Sequence, residues 1–319
     1  MTMLDEAELA AVALTSRLVD SPAKPLSARE FWGLRQRVEP SALRGRSAHH
    51  IAAELAASEQ EGERIARLFD RAAALAVALE NLDHAGIWTI TRLGQLYPRR
   101  LSARLGKAAP VVLHGVGDGK LLDTDGVGVV GSRNVSEEGS QVAREIARLA
   151  ATLALPVISG AARGVDRDAM NSAFDVRGGV VGVLADSIER TVTRPSTRRA
   201  VLDGRICLIT PYAPSAPWTA GNAMGRNKLI YGLSRCTVVV ASEQEHGGTW
   251  KGATEALKNS YGRVAAWLGP GSGAGNRALV ERGALELREP AGLAELLRDA
   301  HPAEEVKDQT ADDQLKLDL

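Results

Sequence analysis

The stretch that decides the fold runs Val127-Gly128-Val129-Val130-Gly131-Ser132-Arg133-Asn134-Val135-Ser136-Glu137-Glu138-Gly139. An apolar run ends at a glycine, a serine and an arginine follow, and a helical pattern then begins, which predicts a buried strand, a tight turn and a helix start. A helix start offers unpaired N–H groups and a positive dipole end, and an arginine can bind phosphate through two hydrogen bonds. We expect an anion site here, although an ordinary strand–helix turn has the same pattern. Its residues would be Gly131, Ser132, Arg133, Ser136 and Gly139.

A second turn of the same kind lies in Leu155–Asp166, where the apolar run ends at a Ser-Gly pair and an arginine follows. Asp166 is expected to cap a helix that continues to Phe174. Parallel strands place their carboxyl ends on one edge of a sheet, and that edge is where ligands bind in open α/β sheets. The residues expected at this turn are Ser159, Gly160, Arg163, Gly164 and Asp166.

Two further glycine-bearing turns are predicted downstream. Gly225-Arg226-Asn227-Lys228 precedes an apolar stretch, and His246-Gly247-Gly248-Thr249 follows a predicted strand at Thr237–Ala241. Four such turns carrying basic side chains predict a basic groove that binds phosphate groups. The residues added to the groove are Arg226, Asn227, Lys228, Gly247, Gly248 and Thr249.

The order of elements predicts the fold class. Apolar strand patterns alternate with helical patterns, which indicates an α/β fold with a mostly parallel sheet covered by helices. The predicted strands are 127–131, 155–159, 180–184, 206–209, 236–241 and 263–268. We expect a small helical domain over 1–84, an α/β core over 85–295 that begins with a connector at 85–125, and a flexible acidic tail over 296–319. In the helical domain, Ser27 and Glu30 fit a capping box at the start of a helix.

Composition limits the classes of function. The chain has 319 residues, a formal net charge of zero and only 4% aromatic residues. A neutral chain can bind nucleic acid only through a local basic patch. A second basic cluster could form such a patch or be a solvated helix face. Its members are Arg190, Arg194, Arg198, Arg199 and Arg205.

Cysteine and histidine usage favours a cytoplasmic protein without metal or cofactor. Cys207 and Cys236 both lie in apolar runs and are expected to be reduced core residues. His49 and His50 lack the partner ligands of a zinc site. No apolar run approaches the roughly 18 residues of a membrane span, and the first residues show no signal-peptide pattern.

These segments together resemble the DprA/Smf family of DNA-processing proteins, in order along residues 85–285. The matching pieces are Leu96-Tyr97-Pro98, Pro110–Gly115, Gly131-Ser132-Arg133, Ser159–Asp166, Arg226–Ser234, Gly262-Arg263, and Gly275-Asn276 through Gly283-Ala284. The resemblance implies a Rossmann-like core that binds single-stranded DNA, forms a homodimer and loads RecA during transformation or recombination. It implies a binding protein and not an enzyme.

The chain departs from the family pattern at several positions. Met170 stands in place of a histidine, Ala223-Met224 in place of Phe-Pro, and Ala241 in place of a glutamate. The Ser-Gly-Ser turn of the family is Gly247-Gly248-Thr249 here, and the residues after the core leave no room for its winged helix. Aromatic groups that could stack on bases are Trp218, Tyr231 and Trp250, each of which could equally be a core residue.

An enzyme or a nucleotide sensor is the competing hypothesis. Gly247-Gly248-Thr249 with Glu255 resembles the signature of Lonely Guy phosphoribohydrolases, which share this Rossmann variant. The spacing differs, because Glu255 lies six residues beyond Thr249 and the intervening glycine is absent. The core turns show no Ser/His/Asp set, paired carboxylates or metal cluster, so the sequence favours a binding protein.

Two predictions concern partners. The apolar segment Val264–Leu268, together with the family resemblance, predicts a homodimer formed through the α/β core. At the C-terminal end, a glutamine and spaced leucines resemble the bacterial sliding-clamp-binding motif, although a frayed terminus or a short strand would carry the same residues. The residues of this motif are Gln314, Leu315, Leu317 and Leu319.

Overall fold

A single mixed sheet organises the protein, seen here in a computed structural model that describes residues 4–298. The strands are β1 (Trp88–Thr91), β2 (Val112–Gly117), β3 (Val127–Val130), β4 (Val157–Ser159), β5 (Val180–Val183), β6 (Ile206–Thr210), β7 (Cys236–Val239), β8 (Arg263–Trp267) and β9 (Leu285–Leu287). Their order across the sheet is β1-β2-β6-β5-β4-β3-β7-β8-β9. The strands from β3 to β9 pair in parallel, and β1 and β2 extend the sheet antiparallel beside β6.

Helices cover both faces of this sheet. They are α1 (Glu6–Thr15), α2 (Ala28–Arg35), α3 (Ala48–Glu54), α4 (Glu59–Phe69), α5 (Ala72–His84), α6 (Arg99–Leu105), α7 (Glu137–Thr152), α8 (Val165–Asp175), α9 (Ile188–Val192), α10 (Pro195–Leu202), α11 (Ala220–Leu233), α12 (Gly247–Asn259), α13 (Gly275–Glu281) and α14 (Leu293–Arg298). Short 3-10 turns occupy Pro40–Leu43, Gly106–Ala108, Gly119–Leu122 and Pro290–Gly292. Within residues 4–298, none of these helices combines the length and apolarity needed to cross a membrane.

The strand order creates a switch point between β3 and β7. From β3 the chain adds β4, β5 and β6 on one side, and α11 then crosses back so that β7 pairs with the other side of β3. In the register between them, Val129 lies opposite Val238. Ligands in such sheets bind in the crevice outside the carboxyl ends of the strands at this point. The predicted α/β, Rossmann-like, mostly parallel sheet is therefore confirmed.

The core lies on the two faces of the sheet and consists mainly of aliphatic residues. On one face, α7 and α8 pack on the strands through residues such as Ile146 and Ala169. On the other, α6, α11 and α12 contribute Leu101, Leu229 and Ala253. Helices facing both sides require apolar residues at nearly every strand position, which the valine-rich strands supply.

The helices α1–α5 form a separate apolar cluster that also contains Val111 and Val112 beside the first sheet edge. The predicted capping box is confirmed, because Ser27 Oγ accepts from the Glu30 N–H and the Glu30 carboxylate accepts from the Ser27 N–H. Arg71 is buried here, and its guanidinium donates to the carbonyls of Val19 and Ala13. These contacts fix the helices to one another without using any residue of the predicted groove.

One prediction about a chain segment was wrong. Residues 85–125 are more than a connector, because they contain β1, α6 and β2. The segment Val264–Leu268 contains most of β8, which lies between β7 and β9, and its residues from Val264 to Trp267 are at most 3% exposed. The homodimer that was predicted from this segment and from the family resemblance stays a prediction. The predicted reduced cysteines, Cys207 and Cys236, are buried and unbonded to each other. The motif at Gln314–Leu319 lies outside the described residues.

Two predicted local structures were also wrong. Gly225–Lys228 is not a turn but part of α11, which begins at Ala220 with Thr219 as its cap. Asp166 is not the cap of α8, because that helix begins at Val165 with Gly164 as its cap. The helix starts two residues earlier than predicted because Gly164 adopts a left-handed φ of 83°, which turns the chain into the helix without a capping side chain.

Candidate nucleic-acid interface

The turns after β3, β4 and β7 meet at the switch point and are joined by backbone hydrogen bonds. The Ser132 N–H donates to the Ala241 carbonyl at 2.9 Å, which links the turn after β3 to the turn after β7. The Val165 N–H donates to the Ser132 carbonyl at 3.3 Å, which links the same turn to the start of α8. The sequence-predicted turns therefore share one edge of the sheet.

Two glycines allow this close approach. A Cβ at Gly164 would lie 2.4 Å from the Ser132 carbonyl oxygen, and its left-handed φ already disfavours other residues. A Cβ at Gly160 would lie 1.6 Å from Nη1 of Arg226, so position 160 has no room for a side chain. Gly164 thus allows direct backbone contact between the turns after β3 and β4, and Gly160 allows the Arg226 side chain of α11 to pack against its backbone.

Arg226 lies beneath the groove and not on its surface. The residue is 5% exposed, and its Nη2 donates to the Gly160 carbonyl at 2.6 Å. Its Nε has no hydrogen-bond partner among the described residues. Ser159 is likewise buried, and its hydroxyl donates to the Val129 carbonyl at 2.6 Å. Both side chains tie neighbouring elements of the sheet edge together.

Asp166 is the buried counter-charge of Arg226. Its carboxylate accepts from the Gly160 N–H at 3.2 Å, and the N–H groups of Ala162 and Gly131 also point towards it. Burial raises the pKa of Asp166, while Arg226 and these N–H groups act in the opposite direction. Burial likewise lowers the pKa of Arg226, and Asp166 opposes that change. The N–H groups of the two turns thus bind a carboxylate of the chain itself.

Arg133 and Arg163 are the predicted cations that reach solvent at this edge. The guanidinium carbon of Arg133 lies 5.1 Å from the centroid of the Trp218 ring. Arg163 Nη2 donates to the Asn134 side-chain carbonyl at 2.6 Å, between the turn after β4 and the turn after β3. Neither arginine makes an ion pair within residues 4–298, so both keep donors for an anion. Asn134 was missed by sequence analysis, because a polar residue in a turn carries no distinctive pattern.

The start of α7 is occupied by the chain itself. Ser136 Oγ accepts from the Gly139 N–H at 3.3 Å, and a Cβ at Gly139 would lie 2.9 Å from the Gly271 carbonyl oxygen. Two exposed glutamates, Glu137 and Glu138, stand in the first turn. Ser136 and Gly139 therefore cap and pack this helix, and the glutamates already interact with its positive dipole end.

The remaining predicted residues connect α11 with α12. Asn227 Nδ2 donates to the Gly248 carbonyl at 3.2 Å, where α12 begins with Gly247, Gly248 and Thr249. Both glycines of this first turn are exposed. Lys228 is half-buried, and burial lowers its pKa, with Glu255 opposing this change and Arg29 of α2 reinforcing it. Lys228 thus responds to charges on α12 and α2, not to those of the turns after β3 and β4.

The second basic cluster spans α9, α10 and the residues that flank α10, and no residue of α10 is buried. Arg194, Arg198 and Arg199 are exposed, whereas Arg205 donates to the Phe174 carbonyl at 2.9 Å and pairs with Asp203. This matches the alternative of a solvated helix face for most of the cluster.

Only one of the three candidate stacking residues is accessible. Tyr231 is 2% exposed and Trp250 is 5% exposed, so both belong to the core. Trp218 is 49% exposed and stands on the loop between β6 and α11. The edge therefore combines one exposed aromatic ring with two exposed arginines.

An open Rossmann-like α/β protein with two exposed arginines at its switch-point edge is the class that this fold and edge define. The profile of the family described as DNA recombination-mediator protein A matches residues 88–298. That match covers most of the chain, which belongs to this family.

Relatives and solved structures agree with this assignment. Protein Smf of Escherichia coli (strain K12) is 29% identical over 208 residues, which cover 64% of this chain and 55% of that protein. The putative DNA processing protein DprA of Mycobacterium tuberculosis (strain ATCC 25618 / H37Rv) is 31% identical over 186 residues, covering 55% of this chain and 46% of that protein. The chain spans about half the length of these two relatives.

Two solved structures share the fold. DNA processing protein A (DprA) from Streptococcus pneumoniae superposes with a TM-score of 0.68 at 23% identity, covering 92% of this chain and 99% of that one. DNA processing protein A from Helicobacter pylori, in a structure that describes its single-stranded DNA binding mode, gives a TM-score of 0.56 at 21% identity, with coverages of 67% and 97%.

Proposed function

We propose that this protein binds single-stranded DNA at the switch-point edge and acts in DNA processing during recombination or transformation. The observation that carries the proposal is the pair of exposed arginines, Arg133 and Arg163, held by Trp218 and Asn134 on adjacent turns. Arginines spaced along a groove suit the phosphates of a single strand. The family description and the DNA-binding Helicobacter pylori protein support this assignment.

We divide the predicted site residues into contact groups and scaffold. Arg133 and Arg163 supply charge, and the Ser132 hydroxyl, whose oxygen accepts from the Asn134 N–H at 3.1 Å, keeps its proton for a phosphate oxygen. The exposed first turn of α12 offers further backbone N–H donors. The scaffold consists of the residues that hold the turns, which are the buried Ser159, Gly160, Asp166 and Arg226 and the half-buried Gly164.

Salt titration of oligonucleotide binding tests the proposal. Each phosphate contact to a single strand contributes about −0.7 to the slope of log affinity against log salt concentration. Arg133→Ala and Arg163→Ala should each weaken binding of all sequences alike and make the slope shallower by about 0.7. Arg44→Ala, a change at an exposed arginine of the helical module, is the matched control and should leave the slope unchanged. Affinity that is independent of salt in the unmodified protein would refute a phosphate-binding groove.

We infer that RecA and a second copy of this chain are partners. Both inferences rest on the family resemblance, and the recombination-mediator description supports the first of them. Co-sedimentation of the protein with RecA bound to an oligonucleotide tests the RecA interaction. Light scattering tests the dimer, and a mass that stays near 33.8 kDa at all concentrations would exclude it.

We also propose that Gln314–Leu319 binds the peptide groove of the bacterial sliding clamp. Three spaced leucines supply apolar area and Gln314 supplies a polar anchor. Because a short peptide must become ordered on binding, we expect affinity of about micromolar order. Leu317→Ala combined with Leu319→Ala should abolish clamp binding and leave DNA affinity unchanged. Calorimetry with the tail peptide and purified clamp gives the measurement, and an absence of heat would contradict the proposal.

Nucleotide hydrolysis and nucleotide sensing remain the alternative functions for this fold. Gly247–Thr249 form the first turn of α12, where a nucleoside monophosphate could bind through its phosphate, and Glu255 lies about two turns further along the same helix. Release of free adenine from AMP would support the hydrolase, and binding of AMP without release would support the sensor. We place the DNA-binding protein in the cytoplasm, in keeping with its reduced cysteines.

A further inference from the structure

Trp218 is presented to solvent in a way that core packing does not explain. It is 49% exposed, whereas Trp250 and Trp267 are 5% and 3% exposed. The guanidinium of Arg133 lies beside its ring, with the guanidinium carbon 5.1 Å from the ring centroid. Exposure of a tryptophan costs free energy, since about 25 cal/mol is lost for each Å² of apolar surface left in water. Such a side chain is a candidate for binding.

The loop that carries Trp218 is held rigidly. Residues 211–217 contain three prolines, which restrict the backbone. The Pro214 carbonyl accepts from the Glu189 N–H at 3.2 Å, and the Pro217 carbonyl accepts from Asn222 Nδ2 at 3.2 Å. The Tyr212 hydroxyl donates to the Asn222 carbonyl at 2.8 Å. These contacts hold Tyr212 and Pro217, near the two ends of the loop, against α11, and hold Pro214 in its middle against α9.

We propose that Trp218 is the base-stacking platform of this interface and selects unpaired bases. This inference rests on the proposed DNA-binding function and names the part of the ligand that Trp218 recognises. Every base has a flat π-face that can stack on an indole, while Arg133 beside the ring binds the adjoining phosphate. Bases within a duplex are already stacked on their neighbours and cannot reach the ring. A ring that is already in place loses little conformational entropy when a base stacks on it.

An abasic oligonucleotide separates base stacking from phosphate binding. We would compare fluorescein-labelled oligo-dT with an abasic phosphodiester of equal length, by fluorescence anisotropy at one salt concentration. The unmodified protein should bind oligo-dT about 5- to 150-fold more tightly than the abasic strand. Trp218→Ala and Trp218→Leu should bring this ratio close to one, mainly by weakening oligo-dT, and Trp218→Phe should retain most of it. Leu202→Ala is the matched control, since Leu202 is 86% exposed on α10, and its ratio should equal that of the unmodified protein.

Tryptophan fluorescence gives a second readout. Oligo-dT should quench the emission of the unmodified protein, and Trp218→Phe should remove this quenching while still binding the strand. Equal affinity of the unmodified protein for both strands would overturn the stacking role and leave the phosphate groove intact. The stacking role would also be overturned if Trp218→Ala and Trp218→Leu kept the preference of the unmodified protein for oligo-dT over the abasic strand. Failure of both strands to bind would overturn the proposed function itself, and this inference with it.

Discussion

A methyl group added at position 160 should dislodge the buried arginine beneath the proposed DNA groove. The Cβ of Gly160→Ala would lie 1.6 Å from Nη1 and 2.1 Å from Cζ of Arg226, distances that no real pair of atoms tolerates. Because Arg226 is 5% exposed, its guanidinium has no neighbouring solvent to move into. Either the side chain leaves its position or the turn after β4 separates from α11.

The size of the effect follows from the contacts that are lost. Moving the guanidinium breaks its 2.6 Å hydrogen bond to the Gly160 carbonyl, and a bond to a charged group contributes about 1.5–3 kcal/mol. It also weakens the electrostatic attraction between Arg226 and the buried Asp166 carboxylate. These two costs overlap, because they concern the same guanidinium. We therefore expect Gly160→Ala to lower the free energy of unfolding by about 1.5–3 kcal/mol.

Urea denaturation followed by circular dichroism measures this change. Gly33→Ala is the matched control, because a Cβ at Gly33 in α2 meets nothing within 4 Å and alanine favours a helix. That control should raise stability by about 0.5–1 kcal/mol. If Gly160→Ala unfolds within about 1 kcal/mol of the unmodified protein, the argument that Arg226 is fixed beneath the groove is wrong.

Two further predictions concern buried polar residues. Burial lowers the pKa of His114 to about 4. Between pH 6.5 and 4 the folded state therefore binds fewer protons than the unfolded state. The free energy of unfolding should fall by about 3 kcal/mol as the pH drops across this range. In urea unfolding across this pH range, the free energy of unfolding of His114→Asn should fall less steeply than that of the unmodified protein. His84→Asn, a change at an exposed histidine, should follow the unmodified protein. Asn276 is 1% exposed, and its amide bonds to β7, β8 and the Ser242 N–H at 2.8–3.0 Å. Asn276→Ala should cost at least about 3 kcal/mol in the same assay, whereas the exposed Asn259→Ala should cost less than about 0.5 kcal/mol.

The central strands were predictable from the sequence because a strand that is buried on both faces is a nearly continuous apolar run. All six predicted strands are present, and their ends differ from the prediction by at most two residues. The missed strands are β1 and β9 at the two sheet edges and β2, which lies between β1 and β6. β1 has four residues and β9 has three, and edge strands are covered on fewer sides, so their sequences need not be continuous apolar runs. In β2, two glycines and a histidine interrupt the apolar run.

The roles of the site residues were less predictable, because exposure depends on how distant segments pack. Arg133 lies two residues after a glycine and Arg226 lies one residue after a glycine, so the sequence pattern predicts the same role for both. The structure separates them, since Arg133 faces solvent and Arg226 is buried. Gly225 suggested a turn, yet it lies inside α11, where a Cβ would be 2.7 Å from the Tyr212 hydroxyl. The glycine reflects a contact with a residue thirteen positions earlier, which local pattern analysis does not detect.

The positions of the two exposed arginines depend on the buried charges of Asp166 and Arg226. Asp166 engages the N–H groups of the turns after β3 and β4, and Arg226 binds the Gly160 carbonyl from the opposite side. These contacts place the two turns so that Arg133 and Arg163 project from adjacent positions into solvent. Repulsion between the two exposed arginines opposes this arrangement at low salt, and a bound phosphate chain would relieve it. The buried contacts therefore hold two exposed positive charges on adjacent turns, as the proposed binding of a phosphate chain requires.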